Sequence, residues 1–125
     1  MDKQTSPQEE IPELAVAVPQ DAAALARALD LEAQTVSTWL TQGLGIVARV
    51  GSQIVGLAHL VDDGGHADVT DLALTTPDDA DVVAALIGGA EQIATELESR
   101  VLVVSGLKAS PGPAYHYNSD WVRVL

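Results

Sequence analysis

Residues 44–74 carry the pattern that most narrows what this chain can fold into. Leu44 to Val50 and Gln53 to Val61 are two apolar-rich runs separated only by Gly51-Ser52, a two-residue loop of the kind that closes a tight hairpin. Asp62-Asp63-Gly64-Gly65 is the next turn signal, and Ala67 to Leu74 is a third run. The pattern predicts a three-stranded β-meander. A long helix follows from about Ala80 to Glu98, because Val83, Leu86, Ile87, Ala90, Ile93, Ala94 and Leu97 recur at helical spacing as one stripe. Between strand and helix stands Thr75-Thr76-Pro77-Asp78-Asp79-Ala80-Asp81. A strand that turns into a helix N-terminus is where many α/β proteins hold a phosphate. Here the turn carries three aspartates and no Gly, Lys or Arg, so geometry and charge disagree.

The flanks complete the order of elements. Leu14 to Val18 reads as a first strand ended by Pro19, and Asp21 as the cap of a helix in which Ala22, Leu25 and Leu29 share a face. Asp30 is placed to cap a second helix with Val36, Trp39 and Leu40 on its apolar side, ended by Gly43. Val101 to Val104 is short and wholly apolar, as a buried parallel strand is. Pro111 and Pro113 bound a loop, Ala114-Tyr115-His116-Tyr117 makes about one helical turn, and Trp121 to Leu125 forms a last strand. The class is α/β (α+β), a mixed and mostly antiparallel sheet flanked by helices. Residues 1–12 are polar enough to be read as a disordered tail, leaving 13–125 as one domain. Gly88-Gly89 costs the long helix about 1 kcal/mol per glycine, which points to close packing there.

Composition removes several function classes. There are 18 acidic residues against 6 basic ones, a net charge of -12 that repels nucleic acid and anionic membrane surfaces and favours cationic partners. With no Cys, thiol chemistry and disulfides are excluded. No run is long enough to span a bilayer and no secretory leader is evident, so the expectation is a soluble, cytoplasmic protein. His59, His66 and His116 lack metal-site spacing; His66, near Asp62, Asp63 and Asp68, reads as part of a solvated turn, and no metal is expected.

In this order of elements the chain resembles the GNAT superfamily of acetyl-CoA-dependent N-acetyltransferases, over roughly Leu14 to the C-terminus. The resemblance is carried by Val47-Ala48-Arg49-Val50-Gly51-Ser52-Gln53-Ile54-Val55-Gly56-Leu57-Ala58, by Ala67-Asp68-Val69-Thr70-Asp71-Leu72-Ala73-Leu74, and by Ala114-Tyr115-His116-Tyr117-Asn118-Ser119-Asp120-Trp121. It implies that backbone groups of Leu72, Ala73 and Leu74 line the pantetheine arm of acetyl-CoA. It also implies that Asp79, Ala80 and Asp81 stand where a basic Gly-rich turn would hold the pyrophosphate. Thr70 falls at a frequent position of the catalytic acid. Asp71 or Asp68 could take that role, or both could be plain solvated charges. Counting back from Trp121, the proton-donating tyrosine is expected at His116, which leaves Tyr115 or Tyr117 as candidates, or as rings that only pack.

Three functions follow from this reading. The first is a GNAT-fold interaction module with a degenerate acetyl-CoA site. The second is an N-acetyltransferase acting on a cationic amine, and the third a module that binds another small ligand in the cofactor cleft. The terminal strand Trp121 to Leu125, with an uncovered edge, implies a homodimer or a partner protein.

Overall fold

Alternation along the meander decides the layering of the molecule. In chain order the elements are β1 (Glu13–Ala17), α1 (Ala22–Leu29), α2 (Ala33–Gln42), β2 (Leu44–Val50), β3 (Gln53–Asp62), β4 (His66–Leu74), α3 (Ala80–Glu96), β5 (Val101–Val104), β6 (His116–Asn118) and β7 (Asp120–Val124). They belong to a computed structural model that describes residues 11–76, 79–105, 107, 113–118 and 120–125. Residues 1–10, Pro77, Asp78, Pro111 and Ser119, all named above, lie outside the described residues.

Successive strand residues face opposite sides of a sheet. Ile46 and Ala48 of β2 accordingly join Ala58 and Leu60 of β3 in a core under α3. Val47 and Leu57, one residue out of phase, join Leu25, Leu29, Val36 and Leu40 in a second core under α1 and α2. Leu25, Leu57 and Leu86 are fully buried, each contributing about 1.5–3 kcal/mol of transfer free energy. The result is a seven-stranded sheet in the order β1-β2-β3-β4-β5-β7-β6, with helices on both faces. Each neighbouring pair is antiparallel except β4 and β5, which run parallel on either side of α3.

The meander, its two turns, the long helix and the parallel β5 agree with the sequence reading; of the glycine pair in α3, Gly89 agrees and Gly88 does not. A Cβ on Gly89 would stand 2.8 Å from Leu14 Cδ1, so this glycine sets how closely α3 approaches β1; Gly88 faces open space. Other expectations need correction. Asp30 does not cap α2: it ends α1 in the left-handed conformation (φ 58), its N–H donating to the Ala26 carbonyl, and Glu32 precedes α2 instead. Aspartate tolerates that conformation better than most residues. Leu97 is not on the buried stripe but is the exposed residue that closes α3.

His116–Asn118 is a strand rather than a helical turn, because it folds back on β7 with Tyr117 opposite Trp121. That hairpin also relocates the open edge. β7 lies between β5 and β6, so among the described residues the sheet ends at β1 and β6, not at Trp121 to Leu125. No helix among the described residues is long and apolar enough to cross a membrane.

Candidate functional site

The centre of β4 departs from regular pleating. His59 lies opposite Asp71, but the next residue, Leu60, lies opposite Val69, so Thr70 is an extra residue on β4. Such a bulge places two consecutive side chains on one side of the strand. Asp71 would otherwise point away from a group meeting Thr70. Instead both reach the same imidazole: the Thr70 hydroxyl lies 2.9 Å from His59 Nδ1 and donates to Asp71 Oδ2 at 2.9 Å, and Nδ1 lies 3.4 Å from Asp71 Oδ2.

His59 is held from all sides. It is buried, and its ring stacks on Trp39 of α2 with centroids 5.8 Å apart and planes 13° from parallel. Nδ1 faces two oxygens, Thr70 Oγ1 and Asp71 Oδ2. Nε2 is buried without a hydrogen-bond partner among the described residues. The reason for Gly43 lies here too. This glycine ends α2 as the sequence suggests, and its φ of -171 is extended backbone that any residue adopts. Space is what requires glycine, since a Cβ there would stand 2.5 Å from the Leu60 carbonyl oxygen and 2.8 Å from His59 Nε2. Asp71 is the accessible member, its side chain 42% exposed, and can pair with a cation or take a proton.

This cluster sits where β4 leaves β5. Their parallel pairing runs from His66↔Val101 to Val69↔Val104, and Ser105 N–H donates to the Val69 carbonyl at 3.0 Å. Among the described residues, Leu72, Ala73 and Leu74 pair only with β3, opposite Ala58, Leu57 and Gly56. One edge of this segment therefore faces away from the meander.

At the start of α3, Asp79 is the N-cap: its side chain accepts the Val82 N–H at 3.3 Å, and its carbonyl accepts the Val83 N–H at 3.0 Å. Ala80 begins the helix, and Asp81 adds a second carboxylate in its first turn. The helix N-terminus is thus supplied with negative charge by its own chain.

The two tyrosines are not brought to the His59 cluster. Tyr115 is buried on the α3 side, where its hydroxyl donates to Glu91 Oε2 at 2.6 Å and the same oxygen takes Arg123 Nη1 at 2.8 Å. Burial, and then the hydrogen bond to Glu91, push the Tyr115 hydroxyl well above its ordinary pKa; Arg123 offsets part of this. Tyr117 is exposed on β6, edge-on to Trp121 at 5.2 Å. Two strands separate it from β4, which at ordinary strand spacing is about 14 Å.

His66 contacts two acids where β3 turns into β4, with Nδ1 3.0 Å from Asp63 and Nε2 3.4 Å from Asp68. Asp68 is engaged there rather than at the cluster. No group of three or more His, Cys, Asp or Glu able to hold a metal ion occurs among the described residues. His59 is the residue that sequence reasoning missed. It was weighed only for metal spacing, yet it shares the phase of the buried Leu57, which marks a polar group on a core face.

No family model matches the chain, and no curated protein sequence matches it. Solved structures do. The chain is similar to a GNAT family acetyltransferase from Brucella melitensis in complex with acetyl-CoA, with a TM-score of 0.64 and 14% identity, over 92% of this chain and 88% of that one. A GNAT family acetyltransferase from Elizabethkingia anophelis with acetyl-CoA bound gives 0.62 and 14%, over 93% and 99%. The ribosomal-protein-alanine N-acetyltransferase from Brucella melitensis biovar Abortus 2308 gives 0.61 and 19%, over 78% and 82%. The chain has the GNAT fold.

Proposed function

We propose that this protein is a GNAT-fold, acetyltransferase-like module that does not turn over acetyl-CoA and acts through contacts with another protein. The cap at α3 carries this reading. Two of the similar structures hold acetyl-CoA, and by resemblance its pyrophosphate would meet the amides at the start of α3. Here the Asp79 carboxylate takes the Val82 amide, and Asp81 stands in the same turn. A pyrophosphate would have to displace one carboxylate and lie beside another, like charges in close contact. These residues do not fit that group. Thermal unfolding with and without acetyl-CoA tests the reading. A site with Kd near 10 μM would gain roughly 2.7 kcal/mol at about 1 mM ligand. The expected shift is none; one that a pyrophosphate-bearing competitor removes overturns the proposal.

A second reading has one observation in its favour. Asp71, backed by Thr70 and His59, is an accessible carboxylate beside the point where β4 and β5 part. On this reading the chain acetylates a cationic amine such as a polyamine or a lysine-bearing peptide, drawn by the net charge of -12, with Asp71 as proton acceptor. Thiol release from acetyl-CoA in the presence of a polyamine, lost in Asp71→Asn, would establish it.

A further inference from the structure

We propose that the outer edge of β1, with the groove between β1 and α3, docks an extended segment of another protein in which apolar residues alternate with Lys or Arg. This deepens the interaction-module reading by naming its surface and the chemistry of its partner. Among the described residues β1 ends the sheet, and one side of its backbone faces no described strand. Leu14 and Val16 of β1 are 40% and 54% exposed, and Ile11 and Val18 flank the strand at 74% and 49%. Leu14 and Val16 line the groove with Ile46, Gly89 and Ile93, and Glu96 stands at its rim. Gly89 lets Leu14 lie against the helix backbone, which keeps the groove shallow and apolar.

Edge strands are ordinarily guarded by lysine, proline or an inward charge. β1 has only Glu13. A strand added to this edge would bond to the free backbone and seat alternate side chains in the groove.

Charge chooses the occupant. A second copy would bring a further -12 to a chain already at -12, whereas a cationic strand is attracted to that charge and to Glu96 beside the groove; Glu13 itself lies across from Arg49. The chain's own residues 1–10 offer Met1 as their one large apolar side chain and so lack the alternation.

The test is a titration of the full-length, isotope-labelled protein with a capped peptide alternating valine and lysine over about seven residues, an ordinary strand length. Amide shifts confined to β1 and the facing turns of α3 are expected. Val16→Lys, at an exposed position, should bind roughly tenfold more weakly with unchanged melting. Shifts scattered over the acidic surface overturn the proposal, as does equal binding of a peptide with its lysines in one block or replaced by glutamate. A dimer that Val16→Lys splits gives the edge to a second copy. Through-space contacts between residues 1–10 and β1 in the free protein give it to the chain's own N-terminal segment. If acetyl-CoA turns over while the peptide still docks, the docking surface stands and the non-catalytic reading falls.

Discussion

Tyr115 and Arg123 meet on one oxygen of Glu91, the hydroxyl at 2.6 Å and the guanidinium at 2.8 Å. The pairing ties α3 to the segment entering β6 and to β7. Because burial and Glu91 raise the Tyr115 pKa in the folded state, the unfolded chain ionises first. Stability should therefore be complete below the ordinary tyrosine value of 10.0 and fall as pH rises above it. Urea unfolding between neutral pH and about pH 11 checks this. Tyr115→Phe should remove most of the alkaline slope, at a cost of about 1 kcal/mol at neutral pH.

Asp63 predicts the acid limb. The His66 backbone N–H holds its carboxyl below the ordinary value of 3.8, so its contribution is present above that value and lost as pH falls through the lower, folded one. Asp63→Asn should flatten the stability curve in that acid range by lowering stability near neutrality, where the carboxylate's contribution is present, and leave the acid end unchanged.

At α3 the cap can be removed without touching the core. Asp79→Ala should cost about 1 kcal/mol by denaturant unfolding, and Asp79→Ser should recover most of it. If neither variant changes stability, the Val82 amide has another partner in solution.

The two neighbouring glycines of α3 should respond differently to alanine. Gly88 faces open space, so Gly88→Ala should stabilise by up to about 1 kcal/mol. Gly89→Ala gains the same helix propensity but must move the end of Leu14, 2.8 Å away, and should gain less or lose. Melting temperatures of the two variants, measured side by side, decide it.

Much of the architecture was legible because periodicity is. Leu44 to Leu74 falls into apolar-rich runs between turn signals, and Ala80 onward recurs at helical spacing. The misreadings fall where that rhythm breaks. Tyr115-His116-Tyr117 looked like a helical turn because Asn118-Ser119-Asp120, a turn signal in its own right, was passed over. The strand there exists only through its pairing with Trp121, a tertiary contact.

The site was half legible for a similar reason. Resemblance pointed to Asp71 and to the acidic turn, but strict alternation sent Asp71 to the wrong side of β4. Only the register shows that Thr70 is surplus and that His59 lies across from Asp71. A bulge has no side-chain signature in this sequence, so nothing local could have announced it.

The order of the strands also implies an order in time. β2, β3 and β4 close on one another through short turns, whereas β5 reaches β4 only after the whole of α3 has been traversed, with Val101 set beside His66. Closing a long loop costs more entropy than closing a short one, and contacts distant in sequence slow folding. The meander is therefore expected to acquire hydrogen-exchange protection first, and the β4–β5 seam last. During that interval β4 would stand as a bare edge, so the moment of greatest aggregation risk for this chain comes before its last strands arrive.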